Sequence, residues 1–378
     1  MSGLELQVHR HIDEIDPQEW DSVVEPDDLQ ASHRFVKVCQ DSGVEDAEYR
    51  HLVARQGGRV VGVASLSLMH VSVDILTRGL TRRAIRWIRR RAPSFLRMPV
   101  IFCGLPVSFG GSCLRSAPGV AREPLVAAVA EALEGFARER SVGLLCFKEL
   151  SDAHAAGLHA LRGAGYFAAP SIPFCSMPIR WSSFDAYLSQ MRTGYRRQLR
   201  ASLGVRERSG LAVRKVEDFA PWCPAIFALY EQVMERAPYQ LERLNLEFLR
   251  RLNEAFGARA QALLVEREGK LLSAAILLSS PRVLTFLIAG IDYALNREHG
   301  AYLNLVCEVV AEAIRAGSAS LDLGQTSYQL KGRMGAVTEP RHLFIRHRSA
   351  FWHSAMRATS GLLFPRLAVP PRRVFKAP

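Results

Sequence analysis

The chain has 378 residues, 48% of them apolar and 23% charged, with a formal charge of +12 that reflects arginine far more than lysine. That length exceeds one ordinary core and predicts two domains of roughly 150 to 200 residues. The balance of apolar and charged residues is that of a soluble globular protein and excludes a low-complexity or fibrous chain. The opening stretch, MSGLELQVHRHIDEIDPQEW, is polar and acidic and lacks the apolar core of a signal peptide. The most apolar window, 271–291, is broken by Ser279, Ser280, Pro281 and Arg282. A spanning helix needs about 20 uninterrupted apolar residues, so two strands joined by a turn are expected there instead. Cysteines stand at 39, 103, 113, 146, 175, 223 and 307 with no CxxC pair. That spacing argues against structural zinc and for reduced thiols in the cytoplasm. His154 and His159, five apart, do not share a helix face, and no metal is expected.

In chain order, IDPQEWDSVV and SHRFVKVCQDSG read as short helices, and YRHLVARQGGRVVGVASLSLMHV as a hairpin turning at Gly57-Gly58. PVIFCGLPVSFGG supplies a strand and a glycine-rich turn. REPLVAAVAEALEGFARERSV has apolar residues at helical spacing and leads into the strand GLLCFKEL. ALRGAGYFAAPSIPFCSMPI closes this unit with a helix end and a strand. The order then repeats. A basic helical segment, SSFDAYLSQMRTGYRRQLRASLGVRERSG, precedes the strand LAVRKVED and the helices PWCPAIFALYEQVMERA and LNLEFLRRLNEAFG. QALLVEREGKLLSAAILLSS reads as a hairpin around Gly269, followed by the strand PRVLTFLIAGID, the amphipathic helix HGAYLNLVCEVVAEAIRAG and the strand SLDLGQ. VARQGGRVVGVASLSLM set against VEREGKLLSAAILLSS makes the duplication visible. The expected organisation is an N-terminal domain over 1–180, interrupted by a basic insertion at 77–97, a C-terminal catalytic domain over 181–350 and a basic apolar tail over 351–378.

This duplicated order resembles the GNAT acyltransferase fold used twice, as in the FemAB-like and CelD-like double-GNAT N-acyltransferases. The resemblance rests on IDPQEWDSVV, SHRFVKVCQDSG, the hairpin ending in VVGVASL, YRRQLR, LVCEVVAEAIRAG and, most specifically, LDLGQTSYQLKGRMGAVTEPRH. It covers roughly 5–348. It implies an α/β (α+β) fold of two tandem GNAT-like domains, each a mixed twisted sheet with flanking helices. It also implies transfer of an acyl or aminoacyl group to an amine. The superfamily's pyrophosphate loop reads Arg or Gln, two residues, Gly, one residue, Gly or Ala. Here the stretch is Arg297-Glu298-His299-Gly300-Ala301-Tyr302, so Arg297 and Gly300 match while Tyr302 takes the final small position. Arg297, His299, Gly300 and Ala301 are the residues this loop would offer to an acyl-CoA. A helix N-terminus there would be an anion site through its free N–H groups, whereas Tyr302 is compatible with a different donor.

Aminolysis of a thioester needs a neutral amine, a stabilised tetrahedral oxyanion and a proton for the departing thiolate. By the resemblance, Lys331 takes the oxyanion and Tyr328 protonates the thiolate. The alternatives are a solvated loop lysine and an aromatic lid. Arg333 is a candidate clamp for a phosphate or carboxylate, and Arg196, Arg197 and Arg200 could meet donor phosphates or form a solvated helix face. Glu308 stands within an apolar helical stretch. Facing inward it would accept the amine proton with a raised pKa, and facing outward it is a solvated stripe. His342 is a second base candidate or a structural histidine. No nucleophile–base pairing is evident, so direct attack without a covalent intermediate is expected.

Residues 77–97 carry eight arginines and no acid. On a helical wheel Leu80, Ala84, Trp87 and Ile88 oppose Arg82, Arg86, Arg89 and Arg90, the pattern of an interfacial membrane binder. The tail, also free of acids, reads as a second surface contact or a disordered end. An aminoacyl-tRNA is the competing partner for these arginines. These residues lead to the expectation of a cytoplasmic enzyme, peripheral at the inner face of the membrane. It would move an acyl group from acyl-CoA or acyl carrier protein to the primary amine of a lipid-like acceptor. In that surface character it is similar to the bacterial ceramide synthases, which N-acylate a sphingoid base. The alternatives are an aminoacyl-tRNA-dependent Fem-type transferase acting on a cell-wall precursor and a non-catalytic membrane adaptor in polysaccharide export.

Overall fold

The computed structural model describes residues 3–72, 87–88, 91–92, 97–152, 154, 159–237 and 242–376, and leaves the side chains of residues 297–299 outside the description. Most of the basic segment 77–97 therefore lies outside the described residues. The first half runs β1 (Glu5–His9), α1 (Pro17–Asp21), α2 (His33–Asp41), β2 (Glu48–Gln56), β3 (Arg59–Ser72), β4 (Arg97–Cys103), β5 (Arg115–Ser116), α3 (Arg122–Glu139), β6 (Leu144–Leu150), α4 (His159–Gly163) and β7 (Phe167–Pro170). Next come β8 (Phe174–Pro178), α5 (Phe184–Gln190), α6 (Thr193–Arg208), β9 (Ala212–Val216), α7 (Cys223–Arg236), α8 (Leu246–Phe256), β10 (Ala260–Arg267), β11 (Lys270–Ser279) and β12 (Val283–Ile291). The chain ends with α9 (Tyr293–His299), α10 (Ala301–Arg315), β13 (Ser320–Gly324), α11 (Tyr328–Met334), β14 (Val337–Glu339), β15 (His342–His347), α12 (Ala350–Ala358) and α13 (Ser360–Leu363).

Local chemistry sets several of these boundaries. Asp16 caps α1 by accepting the N–H groups of Gln18 and Glu19 at 2.8 and 3.0 Å, with Pro17 in the first helical position. Asn245 caps α8 in the same way through the N–H of Phe248 at 2.8 Å. Gly57 and Gly58, both at positive φ, close the β2–β3 hairpin.

Two mixed sheets result. The first has the order β1-β2-β3-β4-β6-β15-β7 with β5 added on β3, and the second has the order β14-β8-β13-β12-β11-β10-β9. Each contains one parallel pair, β4–β6 and β12–β13, bridged by the long helices α3 and α10. The division expected near residue 180 is crossed twice by the sheets. β8, from the first half of the chain, pairs with β13 and β14 in the second sheet. β15, from the end of the chain, lies between β6 and β7 in the first. Each half thus donates the strand that flanks the other's parallel pair.

Helix α3 covers one face of the first sheet, where Leu125, Val129 and Leu133 meet Leu52, Ile101 and Leu145. Helix α10 covers one face of the second, where Leu305, Val309 and Ala313 meet Leu263, Leu277 and Leu321. The opposite faces share a core in which α2 and α8 lie between the sheets, with Phe35, Phe248 and Phe256 packed together with Val53, Val63, Leu264 and Ile276. The Phe35 ring centroid is 6.2 Å from that of Phe248 and 6.4 Å from that of Phe256, both edge-on. Phe35→Ala is therefore expected to cost about 3–5 kcal/mol. Because this core belongs to both halves, a urea titration should still give one transition by tryptophan fluorescence and by circular dichroism. Two separated transitions would show that the halves hold together by other means.

Candidate active site

The parallel pair β12–β13 is short: only Val283 to Thr285 pair with Ser320 to Asp322. Beyond that point β12 continues to Ile291 beside β11 alone, while β13 turns away at Gly324. The strands part and leave an opening. The turn that leaves β13 is strained, because Thr326 and Ser327 both have positive φ, 85° and 51°. Such residues cost about 1–3 kcal/mol each and persist where the surroundings over-determine them, as functional sites do.

Hydrogen bonds fix this turn against the segment before β8. Gln325 Nε2 donates to the Ile172 carbonyl and the Tyr328 hydroxyl to the Pro173 carbonyl, both at 2.8 Å. Lys331, only 4% exposed, donates from Nζ to the Gln325 carbonyl at 3.4 Å. Burial lowers its ammonium from 10.5 to about 8, opposed by the neighbouring Cys175. Lys331 is thus a buried cation behind the turn and not a solvated loop lysine. Arg333, two residues on, is exposed.

The loop expected to grip a CoA pyrophosphate is built differently. The side chains of Arg297 and His299 lie outside the described residues. Gly300 adopts the left-handed conformation, φ 59°, and forms the N-cap of α10, and Ala301 is fully buried. The helix N-terminus is partly occupied by the chain itself, because Asn296 Oδ1 accepts the Tyr302 N–H at 2.8 Å. A hydrogen bond between Tyr302 and Ser327 ties the first turn of α10 to the turn after β13, on the two sides of the opening, and burial raises the Tyr302 phenol.

Four expected participants are not brought to this turn. Glu308 lies on the side of α10 that faces α6, where its carboxylate accepts from Arg206 at 3.0 Å and from Arg315. The sheet-facing positions of this helix are Leu305, Val306, Val309, Val310 and Ala313. Glu308, Glu312 and Arg315 form the other stripe, a spacing already present in the sequence. The inward, proton-accepting reading of Glu308 is therefore corrected. His342 sits in the first sheet opposite Leu150 and Pro170, with Nε2 at 2.5 Å from Asp152. Arg196 donates to the Ser189 and Met191 carbonyls at 3.2 and 3.5 Å, and Arg197 is exposed on α6.

What the structure adds is a carboxyl that sequence reading passed over. Asp322 is the last residue of the parallel pairing and stands opposite Ser176 of β8. Its neighbours Leu321 and Leu323 point into the α10 core, so strand alternation turns Asp322 toward the space between the sheets. Burial pushes its carboxyl from 3.8 up to about 7; Glu339 adds to the push and Arg341 opposes it. Ser176 donates to Glu339 at 2.8 Å. Arg341 donates to Glu339 at 3.2 Å and to the Gly110 carbonyl of the first half at 2.5 Å, and stacks over Phe174. The first sheet contributes Glu149, held at φ 60° and 4% exposed, which accepts from the Ser108 hydroxyl and whose carboxyl burial raises. Lys148 Nζ donates to the Pro106 carbonyl at 3.4 Å. Burial also pushes Glu242 up to about 8, opposed by Lys148. Carboxyls that titrate near neutrality can take a proton from an ammonium, which a carboxylate at its ordinary pKa does poorly. The signal for Asp322 was its place as a lone acid between two leucines of a short strand.

Comparisons with known proteins agree with this architecture. Residues 189–332 match the family described as acetyltransferase (GNAT) domain. The structure of FemX superimposes with a TM-score of 0.57 at 13% identity, covering 90% of this chain and 96% of that one. A tandem GNAT protein from the clavulanic acid biosynthesis pathway gives 0.53 at 13% identity, covering 92% and 99%. L-PGS from Bacillus licheniformis gives 0.50 at 11% identity, covering 93% and 98%. A curated relative from Mycobacterium tuberculosis, named "Putative 8-amino-7-oxononanoate synthase 2", is 25% identical over 332 residues, which is 86% of this chain. The chain spans 43% of that relative's length. The chain thus carries an acetyltransferase (GNAT) domain at residues 189–332, set in a fold of two GNAT-like halves that it shares with a tandem GNAT protein.

Proposed function

We propose that the chain moves an acyl group from acyl-CoA or acyl carrier protein to the primary amine of an amphiphilic, lipid-like acceptor such as a sphingoid base. The observation that carries this reading is Asp322, a carboxyl raised to about 7 by burial at the point where β12 and β13 part. In the proposed reaction Asp322 takes a proton from the acceptor ammonium. The free amine attacks the thioester carbonyl, and the tetrahedral oxyanion is met by the Lys331 ammonium. Collapse breaks the C–S bond and forms the amide. The departing thiolate takes its proton from Tyr328, whose hydroxyl exchanges its hydrogen bond to Pro173 for one to sulfur, and the proton that the attacking nitrogen loses as the amide forms restores the phenol. A lipid-like acceptor is supported by the first sheet. Along β6, Leu145 and Phe147 face α3 and Cys146 faces the other way. Lys148 follows Cys146 on that second face, its Nζ 5.7 Å from the centroid of the Phe102 ring. The face that carries the charged cluster is thus continuous with an apolar patch around Phe102, Leu144 and Leu343.

A second reading has its own observation. The Asn296 cap and the Tyr302–Ser327 bond occupy the helix start and the opening that a CoA would use, which favours a donor held elsewhere, such as an aminoacyl-tRNA in a Fem-type reaction. The test is thiol release from short- to long-chain acyl-CoAs and acyl carrier proteins, with and without sphinganine, beside an arm with aminoacyl-tRNA. Sphinganine-dependent release with long chains is the expected result. Transfer from aminoacyl-tRNA with no thioester turnover would replace the first reading by the second.

A further inference from the structure

We propose that the C-terminal helix pair, α12 and α13, is a docking surface for an anionic lipid bilayer. The pair has an inner and an outer apolar side. Inward, Met356 and Phe364 pack on a patch of the first sheet that includes Val100, Cys146 and Ile345. Outward, Phe351, Trp352 and Leu362 are 71%, 56% and 81% exposed, an arrangement with no use in a helix that only covers a sheet. The stretch of chain that carries them is basic. No Asp or Glu occurs after Glu339, and Arg357 and Arg366, on and just beyond the pair, are exposed.

The surface extends to the ends of β3 and β4. Val71 and Met98, next to the paired strand ends Ser72 and Arg97, join the same patch as Met356 and Phe364. Trp87, which lies between these two strands in the sequence, is 58% exposed, with the Arg91 guanidinium 4.7 Å from its ring centroid. Exposed tryptophan and phenylalanine within a rim of arginines suit the headgroup–acyl boundary of an anionic membrane, where rings and aliphatic chains enter and guanidinium groups meet phosphates. A second copy of this chain would set arginine against arginine. A nucleic acid would have no use for Leu362. The same face of the first sheet carries Lys148 and the cluster at the active site, so docking there would bring a membrane-borne amine toward it. That consequence rests on the lipid-acceptor reading, whereas the docking does not.

The experiment is flotation of the full chain with phosphatidylcholine vesicles, with and without phosphatidylglycerol, in the absence of donor and acceptor. The wild type is expected to float with the anionic vesicles, and the triple variant Phe351→Ser/Trp352→Ser/Leu362→Ser to bind about tenfold or more weakly. Arg357→Gln/Arg366→Gln is expected to weaken binding to anionic vesicles alone. All three positions of the triple variant are exposed, and circular dichroism verifies that it is folded. Failure of the wild type to float overturns the proposal, as does undiminished flotation of the triple variant. So does retention of tRNA or self-association that the triple variant abolishes without any vesicle binding. Thiol release with a detergent-dispersed amine is read in parallel. Its absence beside intact flotation sinks the transferase reading and leaves the docking surface standing.

Discussion

Asp322→Asn is expected to lower kcat by about 10²–10⁴-fold, the range by which a positioned general base accelerates a reaction, with little change in the fold. Asparagine keeps the shape of the side chain and its place opposite Ser176 but cannot take a proton. The pH dependence carries the diagnosis. In the wild type kcat should rise through about 7, where the Asp322 carboxyl ionises, and this limb should vanish in the variant. kcat is the parameter to follow because it reports groups in the bound complex, whereas kcat/KM also reports ionisation of the free amine. Stability should move the other way. The folded carboxyl titrates above its ordinary 3.8, so its contribution is fully present below that value and is lost as pH rises through about 7. At alkaline pH the asparagine protein should unfold no more easily than the wild type. A kcat within a few-fold of wild type, or a rising limb that survives the substitution, would remove Asp322 from the mechanism.

Lys331→Met should separate activity from stability more sharply. Loss of a fixed cation next to the oxyanion is expected to cost about 10²–10³ in kcat. The folded protein should nevertheless gain about 1–3 kcal/mol near neutral pH, because the charge is held at 4% exposure and burial depresses its pKa from 10.5 to about 8. Below about 8 the lysine is charged in both states and the folded state bears the cost of burying it. Between about 8 and 10.5 the unfolded chain holds more protons, so wild-type stability should rise with pH there, and in the methionine protein that rise should be absent. Urea titrations at two pH values, beside single-turnover assays, check both halves. A variant that is less stable and fully active would make Lys331 a structural residue.

Much of the fold was legible because its elements announce themselves locally. The apolar positions of 301–315 recur at helical spacing, two short apolar runs flank the turn at Gly269, and Gly57-Gly58 forces another turn. The polar turn after β13 also stood out, since a buried strand followed by Gln325, Tyr328 and Lys331 demands an account of where those groups go. The stripe of Glu308, Glu312 and Arg315 was equally present in the sequence, and reading it would have turned Glu308 away from the sheet.

The sequence by itself determined the duplicated order of elements, the amphipathic faces and the turn that carries Lys331 and Tyr328, because each depends on neighbours within one or two turns of chain. Only the tertiary structure decided the exchange of β8 and β15. The pattern of a strand says which of its faces is buried but not which strand lies beside it, and β8 and β15 are too short to single out one sheet. Only the tertiary structure made Asp322 a base. A carboxyl's pKa is set by how much water and charge surround it, and Glu339 and Arg341 reach its surroundings only through strands brought together from distant parts of the chain.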